Sequence, residues 1–165
     1  MHDQAMGWVR RFATADPISV LSIGGRDVNG TERPLFPGAT FTVLDLYPGP
    51  NVDIIADAAE WDPDGRRWDL VTLLEVCEHA PEWPAIIRTA FTALWPGGRL
   101  IVTTAAPGRP PHSGIDGMAL RFGEYYANVT AEGLRAALEA AGFADVEVDT
   151  QPSPADVRAV ATRPA

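Results

Sequence analysis

Two adjacent glycines, Gly24 and Gly25, close a short apolar run, and a carboxylate, Asp45, stands 21 positions after Gly24 at the end of the next run. A glycine turn lets a ligand approach the backbone closely, because no Cβ stands in the way. An acid roughly 20 residues further on, at the tip of the neighbouring strand, is placed to accept hydrogen bonds from ribose hydroxyls. Asp57, followed by Ala58-Ala59, ends a third run and suits an exocyclic adenine amine. Together the glycine turn and the two carboxylates point to a cofactor containing adenosine. Each alone also fits a plainer reading, since glycine pairs close ordinary turns and aspartates often cap strand ends.

The stretch Glu75-Val76-Cys77-Glu78-His79 adds two carboxylates and an imidazole at the end of a fourth run. His79 and His112 are the histidines outside the N-terminal residues, and histidine exchanges its proton near neutral pH. Both are candidates for a general base. His112 lies in a segment rich in Gly and Pro, 106–129, which also carries Tyr125 and Tyr126 as candidate walls of a substrate pocket. Cys77 reads as a small packed apolar side chain. One cysteine and three scattered histidines offer neither an internal disulfide nor a zinc-ligand spacing, so no metal is expected.

Bringing these residues together requires a frame. Apolar runs over 18–23, 40–46, 51–56, 68–76 and 99–105 read as buried strands. Helices are expected over 6–13, over 80–94 with Pro96-Gly97-Gly98 as its stop, and over 130–141 between a Thr130 cap and Gly142. The segment 29–39, with Pro34 and Pro37, is a poor helix, while alternating patterns over 144–150 and 156–162 read as a closing antiparallel hairpin. Near-continuous apolar strands separated by helices indicate a parallel sheet covered on both faces. Ligands of such sheets bind beyond the carboxyl ends of the strands, where Gly24, Asp45, Asp57 and Glu75 all fall.

The series Val20-Leu21-Ser22-Ile23-Gly24-Gly25, Leu44-Asp45-Leu46, Ile55-Ala56-Asp57-Ala58, Glu75-Val76-Cys77-Glu78-His79 and Leu94-Trp95-Pro96-Gly97-Gly98 resembles the class I S-adenosylmethionine-dependent methyltransferases. It is most similar to small members whose fourth strand ends in a Glu-Val-Leu-Glu-His pattern, and the resemblance covers 18–162. It implies an α/β, Rossmann-like, doubly wound fold with a mostly parallel seven-stranded sheet and an antiparallel last strand. A single domain over 1–165 follows, with an N-terminal helix within 1–17. The resemblance further implies that S-adenosylmethionine is bound by Gly24, Gly25, Arg26, Asp27, Asn29, Asp45, Leu46, Asp57, Ala58, Glu75 and Val76. His112 and His79 are then the catalytic candidates, and Tyr125 and Tyr126 face the acceptor. Two departures stand out: Ser22 replaces the family's acid in the first strand, and Arg26 and Val28 replace its later loop glycines. Asp27, Asn29 and Gly30 are left to make the contacts those groups normally supply.

At 165 residues the chain is sized for one domain. Its 22 acids outnumber 13 basic residues, all of them arginine, for a net charge of −9. Such a chain gains little from releasing phosphate counterions, so a small-molecule acceptor is expected rather than nucleic acid. No run approaches the ~20 apolar residues of a membrane span, and the N-terminal residues lack the apolar core of a signal peptide. A cytoplasmic protein is expected. Methyl transfer to a small molecule is the leading reading. A catalytically silent S-adenosylmethionine-binding scaffold is favoured only by the lost loop glycines. A nicotinamide-dependent oxidoreductase is disfavoured, because the turn lacks G-x-G-x-x-G.

Overall fold

Residues 3–165 are described by a computed structural model, and among them seven strands form one sheet. The strands are β1 (Ser19–Ile23), β2 (Thr40–Asp45), β3 (Ile54–Ile55), β4 (Trp68–Leu74), β5 (Leu94–Ala105), β6 (Ala144–Pro152) and β7 (Ala155–Thr162). Their spatial order is β3-β2-β1-β4-β5-β7-β6. The first five run parallel, while β7 lies antiparallel to both β5 and β6, so it is the reversed strand of the sheet. This is the doubly wound architecture expected from the sequence.

Alternation along the strands divides the core. Leu21, Ile23, Val71, Leu73, Leu100 and Val102 are buried on the face covered by α2 (Trp83–Ala93) and α3 (Ala131–Ala141). Val20, Leu70, Leu74 and Ile101 are buried on the other face, against Trp8 and Val9 of α1 (Asp3–Val9) and against Leu35 and Phe36. Each such side chain removed from water contributes ~1.5–3 kcal/mol. The second cover is thin, because a single 3-10 turn, Arg33–Leu35, stands between β1 and β2 where a full helix would lie. No helix among the described residues is long and apolar enough to cross a membrane.

Several boundaries differ from the sequence reading. Among the described residues the first helix covers Asp3–Val9, earlier than the expected 6–13, and passes into a 3-10 turn, Arg10–Phe12. β3 shrinks to Ile54–Ile55 because Asp53 takes over the pairing: its N–H donates to Val43 O at 2.9 Å and its carboxylate accepts from Val43 N–H at 2.8 Å. α2 begins at Trp83, after a 3-10 turn at Cys77–His79, and stops before Pro96-Gly97-Gly98, since buried Leu94 is already extended and pairs with Trp68. α3 keeps its expected ends, with Thr130 Oγ1 accepting from Gly133 N–H at 3.0 Å and Gly142 left-handed at φ 100°.

Candidate functional site

The carboxyl edge of β1 turns sharply. Gly24 has φ +69°, and a Cβ there would stand 2.3 Å from Val76 Cγ2, so the turn and its contact with the end of β4 both demand glycine. Gly25 packs on Ser22, with its amide oxygen accepting from Asn51 Nδ2 at 3.0 Å. Asp27 shapes the loop instead of facing the cleft: its N–H donates to Asn51 Oδ1 and its carboxylate accepts from Gly30 N–H, both at 3.0 Å. At the tip of β2, largely buried Asp45 accepts from the N–H groups of Arg26 (3.2 Å) and Tyr47 (3.0 Å).

These turns border a cleft of two lobes, about 420 Å³ and about 260 Å³, both lined by Gly24, Arg26, Glu75 and His79. Ser22, Asn29, Glu32, Arg109 and His112 face the larger lobe. Asp45, Leu46, Asp57, Ala58, Val76 and Tyr125 face the smaller one. The fold therefore gathers most of the residues singled out in the sequence around one opening. Asp57 also closes its own turn by accepting from Ala59 N–H at 2.8 Å.

At the end of β4, Glu75 adopts φ 60°, a left-handed conformation that a glutamate holds only when its surroundings fix it. Its carboxylate meets Arg109 Nη2 at 3.3 Å, and the other arm of that guanidinium pairs with buried Asp156 on β7. Three elements far apart in the chain are thus joined at the cleft wall. Glu78 is fully buried and accepts from Thr104 Oγ1 at 2.8 Å, while its Oε1 has no hydrogen-bond partner. Burial, followed by the neighbouring Glu75 charge, pushes its carboxyl well above the ordinary range. Burial likewise raises the Cys77 thiol, which is inert packing as expected.

His79 is held down to about 4, by burial first and then by His112, so it is uncharged at neutral pH. The two imidazoles meet edge to face with centroids 4.9 Å apart, and Tyr126 packs against both at 5.5 and 5.1 Å. Tyr126 lines neither lobe; burial lifts its hydroxyl to about 12. Donor atoms of Glu78, His79 and His112 lie within 4.8 Å of one another, close enough to share one cation. Sequence spacing showed no metal-ligand pattern, because the path of the segment after β5, not local spacing, brings His112 to His79.

The family model described as methyltransferase domain matches residues 1–148. The chain belongs to the methyltransferase domain family. The ubiquinone biosynthesis O-methyltransferase of Marinobacter nauticus is 29% identical over 117 residues, which is 68% of this chain and 48% of that protein. The chain thus spans about half the length of that curated relative. Among solved structures, Burkholderia thailandensis 1,6-didemethyltoxoflavin-N1-methyltransferase, with 1,6-didemethyltoxoflavin and S-adenosylhomocysteine bound, superposes with a TM-score of 0.72 at 20% identity. That match covers 99% of this chain and 78% of the other. An S-adenosylmethionine-dependent methyltransferase from Mesorhizobium loti gives 0.69 at 18% identity, covering 95% and 96%. Both likenesses are of fold.

In this methyltransferase domain the segment 106–129 roofs both lobes: Pro110, Pro111 and His112 face the larger, Ile115 and Tyr125 the smaller. It is pinned by Ser113 Oγ donating to Glu124 (2.7 Å), Ala127 N–H to Glu78 O (2.9 Å) and Asn128 Nδ2 to Arg109 O (3.2 Å). Met118 and Phe122 point into solvent. The sequence reading missed Arg109, Asp156 and Glu32. An acid inside a strand pattern was the available signal for Asp156, and an acid beside a proline-broken helix for Glu32.

Proposed function

We propose that this domain transfers a methyl group from S-adenosylmethionine to a small-molecule acceptor. One observation carries the reading: a two-lobed cleft at the carboxyl edge of β1, β2 and β4, with the Gly24 turn between the lobes and Asp45 at the rim of one. The donor set suits the cofactor. The Asp45 carboxylate is an acceptor for ribose hydroxyls, and Asp57 beside Ala58 is an acceptor for the adenine amine. Gly24 and Gly25 leave backbone exposed to close approach, with Leu46 and Val76 as apolar walls and Arg26, Asp27 and Asn29 completing the loop.

When bound, the cofactor supplies an electrophilic methyl group on a sulfonium. Transfer of that group requires alignment above all, and a base only where the acceptor holds a proton of high pKa. His112, at the roof of the larger lobe, is the candidate to take that proton, while His79 beside it, held down to about 4, is the weaker base. Tyr125 is an acceptor-side wall, while Tyr126 positions the two imidazoles from behind. The segment 106–129 excludes water from the transfer site. A cytoplasmic setting belongs to the same reading, supported by the free, buried Cys77. So does a non-nucleic-acid acceptor, supported by 22 acids against 13 arginines.

Calorimetric titration with S-adenosylhomocysteine and, separately, NADH tests the cofactor. Binding of the first and not the second is expected; the reverse would convert the reading to an oxidoreductase. Methyl transfer to a metabolite extract separates an enzyme from a silent scaffold.

A further inference from the structure

Ser22 occupies the β1 position where the resembled family carries an acid, and the structure returns a carboxylate to that place from elsewhere. The parallel register sets Ser22 beside Thr72, on the face opposite α2 and α3. Glu32, only 2% exposed, reaches into that pair: its Oε1 accepts from Ser22 Oγ at 2.6 Å and from Thr72 Oγ1 at 2.9 Å. Its Oε2 takes a longer bond, 3.3 Å, from Thr31 Oγ1, which leaves acceptor capacity on that oxygen. Glu32 arrives there because the chain from Gly24 onward makes a short loop and the Arg33–Leu35 turn, with Pro34 in its first positions, in place of a helix. The turn that stands in place of a helix is what brings this carboxylate to β1.

The environment of this carboxylate is unbalanced. Its partners are hydroxyls, and no ion pair to Glu32 occurs among the described residues: Arg33 lies over the Phe41 ring and Arg109 is held by Glu75 and Asp156. A buried carboxylate partnered by hydroxyls alone is best complemented by a positive group, which can reach it from the side that faces the cleft. That side is the larger lobe, which Ser22, Glu32 and Gly25 line together, away from the Asp45 and Asp57 rim suited to adenosine. We infer that Glu32 binds the α-ammonium of the amino-acid end of S-adenosylmethionine. The inference rests on the cofactor reading above and assigns one further residue to it.

The test compares S-adenosylhomocysteine with its deaminated analogue, identical except that the α-amine is absent, by calorimetry on the wild type and on Glu32→Gln. The wild type prefers the amine by about tenfold or more, the range of a charge-assisted hydrogen bond. Glu32→Gln removes that preference by weakening S-adenosylhomocysteine and leaves the analogue within about twofold. Ser22→Asp/Glu32→Gln, which moves the carboxylate back to β1, restores the preference. If Glu32→Gln does not fold, this swap carries the comparison alone. Wild-type binding without preference overturns the inference, as does an equal preference in Glu32→Gln, an equal loss of both ligands there, or a swap that restores nothing. A wild type that binds neither ligand overturns the cofactor reading and this inference with it, an outcome distinct from the others.

Discussion

Arg26 leans on Asp45: its Nε stands 3.7 Å from Oδ1 while its own N–H donates to Oδ2 at 3.2 Å. The carboxylate at the rim of the smaller lobe is thus oriented before any ligand arrives. Asp45→Ala is expected to weaken S-adenosylhomocysteine by at least about tenfold, because two charge-assisted hydrogen bonds to a ribose lose their acceptor. A fall of less than about threefold in calorimetry would remove Asp45 from the site. Asp45→Asn, which keeps one acceptor oxygen, should fall between the two.

Gly24→Ala should destabilise the fold and the cleft together. The new methyl would stand 2.3 Å from Val76 Cγ2 at a backbone φ of +69°. A cost of about 1–3 kcal/mol is expected, read as a drop of several degrees in Tm. Adding Val76→Ala should recover part of it by removing the clash while the strained φ remains. Full recovery would mean that the backbone conformation costs nothing.

At the opposite end of β1, Asp69 accepts from both the Oγ (2.6 Å) and the N–H (2.8 Å) of Ser19, and these hydrogen bonds hold its carboxyl below the usual range. A lowered folded pKa contributes stability that is present above the unfolded value of 3.8 and lost as pH falls through the folded one. Asp69→Ala should therefore cost roughly 0.5–1.5 kcal/mol at neutral pH, discounted for its exposure. Thermal melts of the two proteins should converge as pH falls below 3.8. A gap that stays constant into acid would assign the loss to packing.

His112→Ala should lower turnover by about a hundredfold or more if the acceptor must lose a proton, with S-adenosylhomocysteine affinity nearly unchanged. Single-turnover rates beside binding isotherms distinguish the two quantities. Full activity in the variant would leave alignment as the domain's contribution.

Hydrogen exchange across 106–129 should slow when S-adenosylhomocysteine and acceptor bind together. The segment roofs both lobes yet keeps Met118 and Phe122 in solvent, so closure has apolar surface left to bury. Protection that does not change would make it a fixed wall.

Legibility in the sequence followed the range of the interactions involved. α3 could be read to the residue because Thr130 and Gly142 act on their own helix ends. Gly24, Asp45 and Glu75 could be placed at one edge because parallel strands present their carboxyl ends together. β3 is shorter than the apolar run 51–56 implies, since apolar residues do not reveal that the Asp53 side chain replaces a ladder bond. The position of Glu32 and the approach of His112 to His79 are not legible there, because both depend on the paths of irregular segments. Periodicity is silent about such paths.

The reversed strand has a consequence for biosynthesis. β6 leaves the ribosome before β7 but holds no place against β5, because β7 fills the space between them. A nascent chain that ends after β6 can assemble the five parallel strands and still have nowhere to dock its newest one. β7 enters against β5 alone or already paired with β6, a long-range docking of the kind that slows folding. Asp156, the anchor for Arg109 at the cleft wall, rides in with it. The cleft is therefore among the last parts of the nascent domain to be completed, and a partly made copy is sheet without site.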